Sequence, residues 1–281
     1  QDPLLVRWAK LPEPVVRWPP SPLEAGLLDG GRRPRKLACW RDPWLVGGDG
    51  DDGRAPTLLL CSGTVDSATE KAVGGAVLAF SAPDGLTRPW RCLGLAADAA
   101  AVATDDETTT AGKKKSGGCV LPGRDWEMPR IARVPPRGAP SAEGSTQATP
   151  VAAAGLHALI LSPDSCDQPP VYALGRWDAD KARFDLNHAA GPHALDIGRT
   201  FYAATVWEQP PAEDGAAAAD GGGGGGWGRA GRSLLWGWLQ EHRAEVVPPP
   251  ALTKEFDHAG CLSLPRVLTL VRRAAGGGVE R

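Results

Sequence analysis

The chain has 281 residues, a formal net charge of −2 at pH 7 and 23% charged residues, a balance that fits neither an acidic tail nor a basic nucleic-acid-binding domain. With 36 glycines and 27 prolines, it carries more helix breakers than a compact helical domain tolerates. Its longest apolar runs, such as 57–61 and 76–80, fall far short of the roughly 20 residues that span a bilayer as a helix, so no membrane insertion is expected.

In chain order the sequence reads as short strands separated by turn chemistry. Residues 44–48 (WLVGG), 57–65 (TLLLCSGTV), 73–81 (VGGAVLAFS) and 81–94 (SAPDGLTRPWRCLG) form a first set. A second set comprises 127–134 (EMPRIARV), 156–162 (LHALILS) and 171–186 (VYALGRWDADKARFDL). A third comprises 200–208 (TFYAATVWE), 232–240 (RSLLWGWLQ) and 261–271 (CLSLPRVLTLV). Consecutive hairpin-linked sheets of this size are what propeller blades look like in sequence. Three segments, 96–118, 135–154 and 210–231, break the pattern with Gly, Ala and Thr tracts. They are expected to be long, disordered loop insertions, since closure entropy grows only logarithmically with loop length. The Lys113–Lys115 triplet in the first of them reads as solvated charge.

Several signatures are absent or misleading. The six cysteines (Cys39, Cys61, Cys92, Cys119, Cys166, Cys261) include no Cys-x-x-Cys pair and no nearby histidine at zinc-ligand spacing, so no metal or cofactor is expected. Several lie in apolar strand-like runs, where a buried free thiol is the commoner outcome. Gly48, Gly50 and Gly53 satisfy a G-x-G-x-x-G spacing, but a β-type run comes next where a dinucleotide fingerprint needs a helix, so they read as a hairpin turn. The five histidines form no H-x-x-x-H pair and no serine sits in a G-x-S-x-G elbow, which disfavours metal and serine hydrolases. The 11 tryptophans against 4 phenylalanines and 2 tyrosines could offer sugar-stacking faces, although a single tryptophan is more often core.

Two motifs point to chemistry. Trp40-Arg41-Asp42-Pro43 precedes the first strand of the first complete sheet, and Trp126-Glu127-Met128-Pro129 stands in the same place in the second. In a propeller the innermost strands surround the central axis, so acids at equivalent strand starts can converge. Convergent carboxylates are the equipment of glycosidic bond cleavage.

These motifs resemble glycoside hydrolase family 32, the plant-type acid invertases (β-fructofuranosidases) and their fructan-cleaving relatives. Asp2-Pro3-Leu4-Leu5 with Trp8 and Lys10 is similar to the family's DPLL…W.K segment, WRDP to its Phe-Arg-Asp-Pro motif and WEMP to its Trp-Glu-Cys-Pro motif. Leu195-Asp196-Ile197-Gly198 with Phe201-Tyr202-Ala203 resembles its Asp-Tyr-Gly…Phe-Tyr-Ala segment. Arg232–Leu239 and Ser263-Leu264-Pro265-Arg266 are similar to the family's next segments in order.

The resemblance implies an all-β, five-bladed β-propeller, present here as about three blades. Residues 1–18 would end an upstream blade, 35–95, 119–190 and 193–247 would form successive blades, and 250–272 would lie after the last. It implies a retaining double displacement on the terminal fructosyl unit of sucrose or a fructan. Asp42 would be the transition-state stabiliser, kept ionised by Arg41. Glu127 would be the general acid/base, raised in pKa by burial beside Trp126 and nearby carboxylates. Arg41, Trp126 and Asp196 would bind or frame the sugar, and the location would be extracellular or vacuolar. Fructosyl transfer or fructan exohydrolysis would use the same motifs, because water and a sugar hydroxyl compete for one intermediate.

Two departures matter. The family's nucleophile is an Asp in a Trp-Met-Asn-Asp-Pro-Asn motif that does not occur in these residues, so the chain by itself is expected to be inactive on sucrose. Met128 and Arg130 stand where the family carries Cys and Asp. A cation beside the acid favours its ionised form, so Arg130 is expected either to point away from Glu127 or to impair catalysis. The second alternative would leave a catalytically defective propeller for sugar binding or regulation.

Overall fold

The computed structural model describes residues 9–16, 35–46, 54–99, 118–135, 155–163, 169–198, 200–209, 232–240 and 260–271. Gly48, Gly50, Gly53, the Lys113–Lys115 triplet, Cys166 and the segment 1–8 lie outside them, as do the greater parts of the three proposed insertions. The first insertion begins later than the sequence predicts, because 96–98 complete a strand ending at Asp98.

Among the described residues the chain is all-β apart from short 3-10 turns. The first sheet contains β1 (Arg35–Leu37), β2 (Arg41–Val46), β3 (Thr57–Asp66), β4 (Ala72–Ser81) and β5 (Arg91–Asp98), with β1 and β2 sharing one edge of β3. The second contains β6 (Trp126–Arg133), β7 (Leu156–Pro163), β8 (Val171–Asp178), β9 (Arg183–Phe184) and β10 (Ala190–Ala194). The third contains β11 (Phe201–Gln209), β12 (Arg232–Leu239), β13 (Cys261–Leu262) and β14 (Arg266–Leu268). Every strand pairing is antiparallel. His193 and Ala194, which the sequence places at the start of the third unit, pair with β8 of the second sheet. Residues 261–262 and 266–268, from the last run of the third set, extend the third sheet from β12.

Strand alternation decides which sheets touch. On β3 and β4, Leu59, Cys61, Val77 and Ala79 face the second sheet and pack with Trp126, Ile131, Leu159, Leu161 and Ala173. Their neighbours Leu60, Leu78 and Phe80 form a separate cluster on the opposite face with Leu37, Trp40 and Trp90. The second sheet alternates in the same way. Its Ala132, Ala158 and Ile160 face the third sheet, meeting Phe201, Ala204, Val206 and Leu235. The three sheets therefore stack face to face, as propeller blades do, and each fully buried Leu, Ile or Phe contributes about 1.5–3 kcal/mol.

Two of these contacts demand glycine. A Cβ added at Gly75 would overlap the Trp126 ring, and one added at Gly237 would overlap the ring of Phe201. Gly75→Ala and Gly237→Ala are therefore expected to cost about 1–3 kcal/mol each by overpacking. Urea denaturation checks this, and an unchanged midpoint in either variant would show that the ring does not rest there.

Candidate active site

β2, β6 and β11 are the first long strands of their sheets, and each pairs with only one neighbour among the described residues. All three carry the same defect. Between Arg41↔Cys61 and Trp44↔Leu59, β2 has one residue more than β3. The same excess occurs between Glu127↔Ser162 and Arg130↔Ile160, and between Tyr202↔Trp238 and Thr205↔Trp236. Each bulge contains a non-glycine residue in the left-handed region: Asp42 at φ 57°, Met128 at φ 54° and Ala203 at φ 47°. Such residues are uncommon, and bulges of this kind re-aim side chains. Pro43 and Pro129 fit next to them, because an edge strand can forgo a ladder donor.

The register makes Arg41, Glu127 and Tyr202 equivalent, and these three side chains meet. Arg41 Nη1 donates to Glu127 Oε1 in an ion pair. The Tyr202 hydroxyl lies 2.7 Å from Glu127 Oε2 and 2.9 Å from the Pro163 carbonyl oxygen. Glu127 is 21% exposed and Arg41 37% exposed, so the row is open to solvent at one side. Burial pulls the Arg41 guanidinium down, but Cys39 and Glu127 outweigh it and the net shift is upward.

The bulge residues themselves form a second link. The Met128 N–H donates to Asp42 Oδ2 at 3.0 Å, which ties the first bulge to the second. Asp42 Oδ1 has no partner among the described residues.

Trp44, Arg130 and Thr205 form the third equivalent set. The Arg130 guanidinium lies 4.3 Å over the Trp44 ring, and its Nε donates to Thr205 Oγ1 at 3.3 Å. Glu127 and Arg130 pair with Ser162 and Ile160, two residues apart on β7, so they share a face of the sheet, but they form no ion pair with each other. The Arg130 guanidinium is pushed down to about 10 by burial, with Cys61 and Asp42 pulling the other way.

Two of the sequence-predicted binding residues sit elsewhere. Trp126 is fully buried, with its Nε1 donating to the Pro122 carbonyl at 2.8 Å. Adjacent strand residues face opposite sides, so Trp126 packs into the first interface while Glu127 points away from it. Trp126 therefore fixes the strand and presents no ring face to a ligand. Asp196 uses both oxygens locally: Oδ2 accepts from the Gly198 N–H at 2.8 Å and Oδ1 pairs with Arg266 at 2.8 Å. Arg266 in turn lies 4.7 Å over the Phe201 ring. No hydrogen bond joins Asp196 to the Arg41–Glu127–Tyr202 row.

Tyr202 is the participant that sequence reasoning missed. A signal existed, since Trp40-Arg41-Asp42, Trp126-Glu127-Met128 and Phe201-Tyr202-Ala203 all place an aromatic residue before a polar one at the start of an inner strand. Reading acids alone hides it. Among the described residues no cluster of His, Cys, Asp and Glu could hold a metal ion, and no helix is long and apolar enough to cross a membrane.

Comparison with known proteins identifies the family. The sequence model described as "Glycosyl hydrolases family 32 N-terminal domain" matches residues 98–277. No curated protein sequence matches. A solved structure described as that of A. japonicus CB05 shares the fold at TM-score 0.50 and 16% identity, over 83% of this chain and 38% of that one. A glycoside hydrolase family 32 structure from Bifidobacterium adolescentis aligns at TM-score 0.43 and 14% identity, over 83% of this chain and 34% of that one. The chain thus spans well under half the length of either solved structure.

The site's thiols provide a chemical check. Cys61, opposite Arg41 in the register, is fully buried; burial drives its thiol well up, and Asp42 adds to the rise. Cys119 is pushed up to about 11 by burial, whereas Cys261 is exposed. The thiolate is the nucleophile, so iodoacetamide at pH 8 followed by peptide mass mapping is expected to find Cys261 alkylated and Cys61 and Cys119 protected until urea is added. Rapid native labelling of Cys61 would contradict the packing behind the site.

Proposed function

This chain belongs to family 32 of the glycosyl hydrolases, and from that premise we propose that it supplies two of the carboxylates with which a glycosidase cleaves terminal β-D-fructofuranosyl units of sucrose or a fructan. Asp42 is the transition-state stabiliser and Glu127 the general acid/base of a retaining double displacement. The observation that carries this reading is the meeting of Glu127, Arg41 and Tyr202 beside Asp42 on adjacent bulged strands.

The hydrogen bonding suits each role. Asp42 is anchored through Oδ2 by the Met128 N–H, which leaves Oδ1 to accept from adjacent sugar hydroxyls. For Glu127, the single Tyr202 proton faces two acceptors, the Glu127 Oε2 and the Pro163 carbonyl. When Glu127 is ionised, the hydroxyl donates to it. When Glu127 is protonated, Glu127 donates to the tyrosine oxygen and the hydroxyl turns to Pro163. One set of heavy-atom positions thus serves both protonation states, as an acid that later acts as a base requires. Tyr202 is a positioning residue here, and Asp196 supports the third sheet through Arg266 and Phe201.

The nucleophile is not among these residues, because the 281-residue sequence contains no Asn-Asp-Pro motif. The chain alone is therefore expected to leave sucrose intact, and measurable turnover by it would overturn the role given to a missing nucleophile. The Arg41–Glu127 ion pair favours a second reading, a sugar-binding propeller without turnover. A longer chain that also carries the nucleophile motif separates the two, since it hydrolyses sucrose only on the first reading.

In that longer chain, Asp42→Asn and Glu127→Gln are each expected to lower kcat/KM on sucrose by about 10²–10⁴-fold, with thermal unfolding unchanged. Glu127→Gln should lose much less on 4-nitrophenyl β-D-fructofuranoside, whose leaving group needs little protonation, whereas Asp42→Asn should lose as much on both. Tyr202→Phe should cost on the order of tenfold, the worth of one hydrogen bond to a charged group. Wild-type turnover in either acid variant rejects the assignment.

A further inference from the structure

Arg130 is a buried cation of the site to which the mechanism above gives no task. It is 5% exposed, and a buried cation lacking a bonded counter-charge is costly. Its hydrogen bonds all go to neutral groups: Nε to Thr205 Oγ1 at 3.3 Å, Nη1 to the Pro129 carbonyl at 2.8 Å and Nη2 to Met128 Sδ at 3.9 Å. A guanidinium has five N–H donors, so N–H groups on both terminal nitrogens are left without an oxygen acceptor among the described residues. Asp42 attracts it electrostatically, but the two form no ion pair, and Asp42 Oδ2 is held by the Met128 N–H.

The surroundings allow an approach. Trp44 covers one face of the guanidinium. Trp44, Met128 and Thr205 are all partly exposed, so Arg130 lies one layer beneath an accessible surface. The group covering Nη2 is the thioether of Met128, an unbranched, adaptable side chain and a weak acceptor. An incoming oxygen that displaced it would exchange a weak sulfur contact for a charge-assisted hydrogen bond, strengthened by the low dielectric around it.

We propose that the Arg130 guanidinium receives an oxyanion carried by the ligand, so that the site prefers an acidic sugar, bearing phosphate, sulfate or carboxylate, over a neutral one. The proposal rests on the carbohydrate reading above and narrows its substrate class. Lysine at this position would keep the charge but lose the fork that grips an oxyanion through two bonds.

Titration calorimetry of the 281-residue chain at fixed ionic strength, with fructose, fructose 6-phosphate and inorganic phosphate as probes, tests it. Fructose 6-phosphate should bind at least about tenfold more tightly than fructose, the scale of one charge-assisted contact. Arg130→Met should abolish that preference and Arg130→Lys should keep part of it. Because Arg130→Met removes an unpaired buried charge, its thermal midpoint should not fall; if it fails to fold, the Arg130→Lys comparison decides. Equal affinity for fructose and fructose 6-phosphate, or a preference that survives Arg130→Met, would overturn the proposal and leave the carbohydrate reading standing. Phosphate binding lost in Arg130→Met, with neither sugar binding, would keep the anion site and overturn the carbohydrate reading. No heat from any probe would overturn both.

Discussion

One constraint governs the site: three inner strands each hold one surplus residue at the same register position, and each turns through a left-handed conformation there. A non-glycine residue in that region costs on the order of 1 kcal/mol or more. The cost is met because the bulge residues are held from outside, as when the Asp42 carboxylate takes the Met128 N–H. The extra residue bends each strand and turns the side chains on either side of it to new directions. Arg41, Glu127 and Tyr202 consequently come together although they belong to three different sheets.

The consequence is a layered division of labour. One row holds a carboxylate between a cation and a phenol. The next holds a cation between an indole and a hydroxyl. Both rows sit above interfaces built from apolar side chains of alternating strand positions, with Trp126 and Phe201 seated over glycines. Packing fixes the strands and the bulges set the aim. The polar rows then take geometries that no single sheet could supply.

Much of this was legible in the sequence. The strand-like runs 57–65, 73–81 and 156–162 fall wholly in strands, and 200–208 and 232–240 do so but for one end residue each, because continuous apolar runs bounded by turn residues mark strands buried on both faces. The starts of β2 and β6 do meet as the two motifs suggest, although it is Arg41 that contacts Glu127, while Asp42 contacts the Met128 N–H. What the sequence hid is local. Trp126 looked like a sugar platform, yet the pleat turns it into the core when Glu127 points the other way. Asp196 read as a residue that binds or frames the sugar, yet Gly198 and Arg266 occupy its oxygens. Tyr202 carries no charge and sits in an apolar run, so its role depends on a register that only the bulge reveals. The direction of Arg130 likewise comes from the bulge, which places it one layer from Glu127.

The central physical claim is that the Glu127 carboxyl and the Tyr202 hydroxyl, one sheet apart, form a single unit. A double-mutant cycle in urea unfolding, built from Glu127→Gln, Tyr202→Phe and the pair, measures it directly. The two changes should be non-additive by at least about 0.5–1 kcal/mol, as for residues sharing one hydrogen-bond network. Additivity within about 0.3 kcal/mol, the behaviour of independent sites, would mean that the side chains do not meet and that the bulged strands do not build the site.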